Sequence, residues 1–168
     1  MNDIHHIITE RVDDIPLLLS QMQQMALPAL IDQYFPAHGN WQGLSPGWLC
    51  TIWLSSMLSQ GDHRLVHIQP WAASRLLTLR SLTGQAVEAT DLGDDRLERV
   101  LRRLSDDTQW ARFEDALNQH TLRVYDLRSE RVHVDSTTAS AYTTVSDEGL
   151  FQFGHSKDHR PDIKWKAV

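Results

Sequence analysis

The stretch from residue 45 to about residue 60 constrains the fold of this chain more than any other segment. It opens with Ser45 and Pro46, a good capping residue followed by the proline that suits the first turn of a helix. The run that follows is apolar almost all round, whereas a helix at a protein surface keeps one polar face. Such a helix is stable only when other elements cover it. The sequence therefore predicts a helical domain with this segment at its centre.

Amphipathic segments on both sides of this run supply the covering helices. The spacing of apolar residues predicts two short helices within residues 13–34, a helical pattern over 62–79, a helix over 94–104, and a longer helix that follows Ser105-Asp-Asp and runs to about residue 122. Pro70 is the expected point of interruption in the second of these patterns, because proline lacks the N–H that a helix interior needs. The last helix is expected to be capped by Ser105-Asp-Asp and to have an apolar side made of Trp110, Phe113, Leu117 and Leu122.

These patterns predict a mainly α N-terminal domain over residues 1–124. Its tryptophans Trp48, Trp53, Trp71 and Trp110 are interpreted as core or interface anchors rather than as platforms for base stacking. Cys50 lies inside the central apolar run and is expected to be a buried, unreactive thiol.

The helix predicted over residues 94–104 has four arginines opposite its apolar side: Arg96, Arg99, Arg102 and Arg103. Two interpretations are open. As a functional surface this face contacts the phosphate backbone of DNA; as an ordinary solvent face its arginines pair with Asp94, Asp95 and Glu98. The net charge of −6 argues against a nucleic-acid binder. Any contact with DNA must therefore come from local basic density.

The hydrophobic pattern changes from a helical to a strand period near residues 123–130. Residues 131–135 alternate, with Val132 and Val134 on one face and Arg131, His133 and Asp135 on the other. The carboxylate of Asp135 stands at the end of this strand, where a metal ligand of a two-metal nuclease is held rigidly. An aspartate in this position is also an ordinary turn former or helix cap.

Two stretches carry a family resemblance. The segment His133-Val-Asp-Ser-Thr137, with the later stretch Ser146-Asp-Glu-Gly-Leu-Phe-Gln-Phe-Gly-His-Ser-Lys-Asp-His-Arg-Pro-Asp162, closely resembles the start of the catalytic domain in DDE-type transposases of bacterial insertion sequences. The upstream part resembles the helical domain that precedes catalysis in that family, in Gly61-Asp-His-Arg-Leu65, Asp94-Asp-Arg-Leu97 and Ala116-Leu-Asn-Gln119. The resemblance covers nearly the whole chain.

The resemblance implies that residues 125–168 begin a ribonuclease-H-like α/β catalytic domain. In that family two aspartates and a glutamate hold Mg²⁺ for DNA cleavage and strand transfer, and Asp135 would be the first of the three. The other two carboxylates lie farther downstream in the family. The chain is therefore expected to be a truncated, catalytically inactive N-terminal fragment that binds no Mg²⁺ stably and keeps the capacity to bind transposon-end DNA or to form a homodimer.

A second basic patch falls in the polar tract after residue 154. Lys157, His159 and Arg160 are candidates for contact with a phosphate backbone, with a solvated loop as the alternative. No long apolar run or signal-peptide pattern occurs, so a cytoplasmic protein without membrane contact is expected. The alternative function is a helical protein-interaction module that regulates transposition without chemistry of its own.

Overall fold

The computed structural model describes residues 9–127, 152–155 and 164–166. The chain divides into two units, residues 1–128 and 129–168. The described part of the first unit is helical, as the sequence predicts. Its helices are α1 (Ile15–Gln24), α2 (Leu27–Tyr34), α3 (Pro46–Gln60), α4 (Ile68–Ala73), α5 (Leu76–Thr83), α6 (Asp94–Leu104) and α7 (Asp107–Val124), with short 3₁₀ turns at Leu65–His67 and Ala89–Leu92.

Helix α3 begins and ends where the sequence predicts. The hydroxyl of Ser45 accepts a hydrogen bond from the backbone N–H of Trp48, and Gly61 ends the helix in the left-handed conformation, at φ 63°. Leu49 and Ile52 are fully buried, so α3 is the central element of the core. Its buried hydroxyls do not go unsatisfied, because Thr51 and Ser55 donate to main-chain carbonyls one turn earlier, at 2.7 and 2.8 Å.

The crossing of α2 and α3 is close and is fixed by polar contacts. The carboxylate of Asp32 accepts from the Ser45 hydroxyl at 2.6 Å and from the Gly47 N–H at 2.7 Å. Gly47 has no side chain at the point of contact; a Cβ there would lie 2.0 Å from the carbonyl oxygen of Pro28. A glycine at this position is therefore what allows the two helices to approach each other.

The interruption between α4 and α5 falls at Ser74 and Arg75, not at Pro70 as the sequence predicts. Pro70 lies in the first turn of α4, where its missing N–H has no helical partner to lose. Pro28 likewise lies in the first turn of α2. The prediction at Pro70 was wrong because proline is disfavoured in a helix interior but is well tolerated in the first turn.

The apolar side of α7 is only partly buried. Phe113 is buried in the core and packs against Tyr34 and Phe35. Trp110 and Leu122, which the sequence places on the apolar side of this helix, are 42% and 43% exposed.

The segment before α1 contacts the start of α5. The two carboxylate oxygens of Glu10 accept from the backbone N–H groups of Leu77 and Thr78, at 3.0 and 2.7 Å. These N–H groups belong to the first turn of α5 and have no partner within the helix. Burial opposes ionisation of Glu10, but these hydrogen bonds outweigh it and lower the pKa of its carboxyl group.

The second unit contains a described antiparallel pair, β1 (Gln152–His155) and β2 (Lys164–Lys166). His155 pairs with Lys164, and the register is irregular between Gln152 and Gly154. The strand predicted over residues 131–135 lies outside the described residues. Two short strands do not establish a ribonuclease-H-like fold. Within the described ranges, no helix has the length and apolar character required to cross a bilayer.

Candidate functional site

The arginine face of α6 borders a pocket of about 530 Å³. The opposite wall is the loop between α2 and α3. All four arginines that the sequence marks as a candidate DNA-binding face contribute to this single pocket. Its lining residues are His38, Asn40, Trp41, Gln42, Arg96, Arg99, Arg102 and Arg103. We refer to it below as the basic pocket.

Trp41 is the aromatic wall of the basic pocket. Its indole N–H donates to the carbonyl oxygen of Leu44 at 2.6 Å, which fixes the ring relative to the start of α3. The guanidinium groups of Arg96 and Arg103 lie 4.8 and 5.9 Å from the ring centroid, within the range of cation–π attraction. The pocket thus places an aromatic surface next to several positive charges.

Arg96 holds the pocket together. Its guanidinium group pairs with the buried carboxylate of Asp91 at 3.1 Å and donates to the carbonyl oxygens of Gln42 and Leu44. Gly43 permits this approach: its φ is +75°, and a Cβ would lie 2.4 Å from an oxygen of Asp91. With its donors directed at the loop, Arg96 is a positioning residue more than a free cation.

The side chains of the other three arginines form fewer contacts with the protein than that of Arg96. Arg102 pairs with Glu98 at 2.6 Å across one helical turn, and both side chains are largely exposed. Arg99 donates to the carbonyl oxygen of Asp95 at 3.1 Å, and Arg103 donates to that of Pro36. Neither Arg99 nor Arg103 forms an ion pair with a residue that the structure describes. The sequence offers Asp94, Asp95 and Glu98 as ion-pair partners of these arginines. Among the described residues, the pair with Glu98 is present.

Guanidinium groups keep their proton at all physiological pH values, so they bind anions but do not transfer protons. Their planar, forked donors suit phosphate in particular. The chemistry of these side chains is therefore suited to contact with an anion. Acid–base chemistry would need other residues.

The remaining predicted site residues lie outside the described residues: Asp135, Lys157, His159 and Arg160. In the part of the chain that is described, no group of three or more His, Cys, Asp and Glu side chains is arranged to hold a metal ion.

A second concavity of about 430 Å³ lies between α2, α3 and α7 and has apolar walls. We call it the apolar groove. Leu104 of α6 contributes to it from the other side of the helix, and Trp110 and Phe113 contribute from α7. Cys50 also lines it; burial, with a smaller effect of Asp32, raises the pKa of this thiol to about 12. The predicted burial of this thiol is confirmed, and its lack of reactivity stays a prediction.

A small surface cluster follows α3. Asp62 accepts from both the side chain and the backbone of Arg64 and contacts Nδ1 of His67 at 2.7 Å. These bonds, those from the Arg64 and His67 side chains first, hold the pKa of Asp62 well below its usual range. The cluster orders the turn at Leu65–His67, and its side chains are at least a quarter exposed.

Sequence reasoning missed Trp41 and the loop around it. This loop is rich in turn-forming residues, a composition that indicates a connection between helices and not a site. The available signal was a large aromatic residue inside such a polar loop. What it packs against is decided by α6, more than fifty positions later in the chain.

A family model described as a domain of unknown function, DUF4277, matches residues 7–115, which include α1 to α6 and the whole basic pocket. Searches of curated proteins and of solved structures give no match.

Proposed function

We propose that this chain, which belongs to the family of the domain of unknown function DUF4277, carries the DNA-binding part of a DDE-type transposase. The DNA contact is made by the arginine face of α6. The resemblance of residues 133–162 to the start of a transposase catalytic domain supplies the biological context. The basic pocket supplies the physical basis.

The observation that carries the proposal is the convergence of four arginines on one pocket. The chain as a whole is acidic, with a net charge of −6. On the pocket wall, however, Asp91 and Glu98 offset only Arg96 and Arg102 among the described ion pairs. Arg99 and Arg103 are in none of the described ion pairs, so their guanidinium groups are the ones proposed to attract phosphates.

We assign no catalytic step to the described residues. In the proposed transposase, Asp135 is the first metal-binding carboxylate, and Mg²⁺ together with two further carboxylates completes the site. Arg99, Arg102 and Arg103 hold the DNA backbone, and Arg96 keeps the loop that contains Trp41 in place. The function proposed for residues 9–127 is therefore binding and positioning of DNA.

The test is the affinity for a fluorescein-labelled DNA duplex, measured by anisotropy over a range of salt concentrations. Arg99→Gln is the most informative variant, because the one described hydrogen bond of the Arg99 side chain is to its own helix. It should weaken binding severalfold and reduce the slope of log affinity against log salt by about 1. Glu98→Gln should have the opposite effect, since it frees Arg102.

Arg112→Gln is the matched control. Arg112 is exposed on α7 and does not line the basic pocket, and its replacement removes the same charge. It should leave both affinity and salt slope close to those of the unmodified protein. Equal effects of Arg99→Gln and Arg112→Gln would reduce the binding to general charge attraction. If the protein bound neither random duplexes nor duplexes with a transposon-end sequence at low salt, the alternative function, a protein-interaction module, would be favoured.

A further inference from the structure

The basic pocket is a recess, and its concave shape indicates the kind of ligand that it can bind. The backbone of a DNA duplex is convex and continuous, so arginines alone on the outer face of α6 would suffice to bind it. Here the loop that contains Trp41 and helix α6 together border a partly open recess of about 530 Å³. This lies within the range of roughly 300–1,000 Å³ that is typical of sites for small organic ligands.

The walls of the recess match the two chemical parts of a nucleotide. A base presents a flat π surface, which stacks on aromatic rings and on guanidinium planes. Trp41 offers the first, and Arg96, held at 4.8 Å from its ring centroid, offers the second. A phosphate needs charged donors, and Arg99 and Arg103 provide them in the same pocket.

Trp41 is also held rigidly, as a stacking platform requires. Its indole N–H is bonded to Leu44, and Arg96 is bonded to Leu44 and to the buried Asp91. These contacts link the ring to the starts of α3 and α6. One part of Trp41 packs against the hydrophobic core, and the residue also borders the recess lined by four arginines.

We infer that the basic pocket takes one unstacked nucleotide of single-stranded DNA, with its base against Trp41 and its phosphate between Arg99 and Arg103. The inference rests on the proposed DNA-binding function and adds to it a preference for a nucleotide released from the duplex.

The test compares two single-stranded probes of equal charge: a short fluorescein-labelled oligothymidylate, and an abasic oligonucleotide with the same number of phosphates. The full-length chain should bind the oligothymidylate more tightly. Trp41→Leu should weaken that binding roughly 5- to 100-fold, the range expected for loss of stacking on one base. It should leave both the affinity for the abasic probe and the salt slope unchanged.

Trp41→Phe keeps a stacking ring and should retain most of the preference. Trp110→Leu removes an exposed tryptophan outside the pocket and should leave the affinity for both probes unchanged. If Trp41→Leu does not fold, as judged by circular dichroism, the two probes measured on the unmodified protein and on Trp41→Phe still decide the question.

Equal affinity for the two probes would overturn the inference and leave the proposed duplex binding intact. A fall in the salt slope of Trp41→Leu would overturn it as well, because Trp41 would then act by positioning the arginines. If the unmodified protein bound neither single-stranded probe and did not bind the duplex, the proposed DNA-binding function would be overturned as well.

Discussion

The basic pocket and the apolar groove are similar in size and opposite in chemistry, and α6 contributes to both. Their volumes are about 530 and 430 Å³. One wall of the pocket is the loop between α2 and α3, which Arg96 of α6 contacts through a hydrogen bond to Leu44. Arg96 also forms an ion pair with Asp91, so the geometry of the pocket depends on hydrogen bonds and charge. The groove is the partly open edge of the core, and its geometry depends on packing. Substitutions should therefore separate them: changes in the groove affect stability, and changes in the pocket affect ligand binding.

The largest effect is expected from Phe113→Ala. Phe113 is 4% exposed and contacts Tyr34, Phe35 and Trp110, so the change leaves a cavity in the core. The free energy of unfolding should fall by about 3–5 kcal/mol, measured by urea denaturation. DNA affinity per folded molecule should stay unchanged. Trp110→Ala is the control: because Trp110 is 42% exposed, its replacement should cost less than that of Phe113. Equal costs for the two would contradict the packing account.

Gly47→Ala should follow. A Cβ at this position would meet the main-chain oxygen of Pro28 at 2.0 Å, and backbone has little freedom to move away. We expect a loss of roughly 1–3 kcal/mol, or more, from overpacking at the crossing of α2 and α3. Gly39→Ala has open space around it and should be nearly neutral in the same denaturation experiment. A neutral Gly47→Ala would mean that the two helices can separate without cost.

Asp91→Asn tests the pocket from its structural side. Asp91 is 6% exposed, pairs with Arg96 and also accepts from the backbone N–H of Glu88. Loss of its charge should lower stability by about 1–2 kcal/mol, because Arg96 loses its ionised partner. Arg96 keeps its hydrogen bonds to the carbonyl oxygens of Gln42 and Leu44, so the pocket should keep its shape. Because the pocket also loses a negative charge, DNA affinity at low salt should rise or stay the same. A large drop in affinity for the folded protein would show that the Arg96 ion pair is essential to the pocket.

The smallest effect is expected in a region that belongs to neither concavity. Glu10→Gln weakens the cap on α5 and should cost about 1 kcal/mol at neutral pH. The folded-state pKa of Glu10 is lowered, so its stabilising effect is complete above the ordinary value of 4.5 and is lost as the pH falls below it. The stability difference between Glu10→Gln and the unmodified protein should thus shrink below about pH 4.5. A difference that does not vary with pH would exclude this linkage.

Much of the helical unit follows from local sequence. The bounds of α6 agree with the predicted 94–104, and Ser45 caps α3 as expected. Caps, glycine stops and apolar spacing act within a few residues, so they can be recognised without a fold. The predicted interruption at Pro70 was wrong because a proline pattern does not say whether the residue ends one helix or begins the next.

What the sequence by itself determined is the set of helices and the presence of an arginine face on α6. What only the tertiary structure decided is how those arginines differ. Arg96 forms an ion pair with Asp91 and contacts the loop of Trp41, whereas the side chain of Arg99 has one described hydrogen bond, to the carbonyl oxygen of Asp95. The physical reason is range: helix periodicity places four charges on one face, but their partners come from segments as distant as residues 36–44. Long-range packing therefore turned a charged face into a pocket.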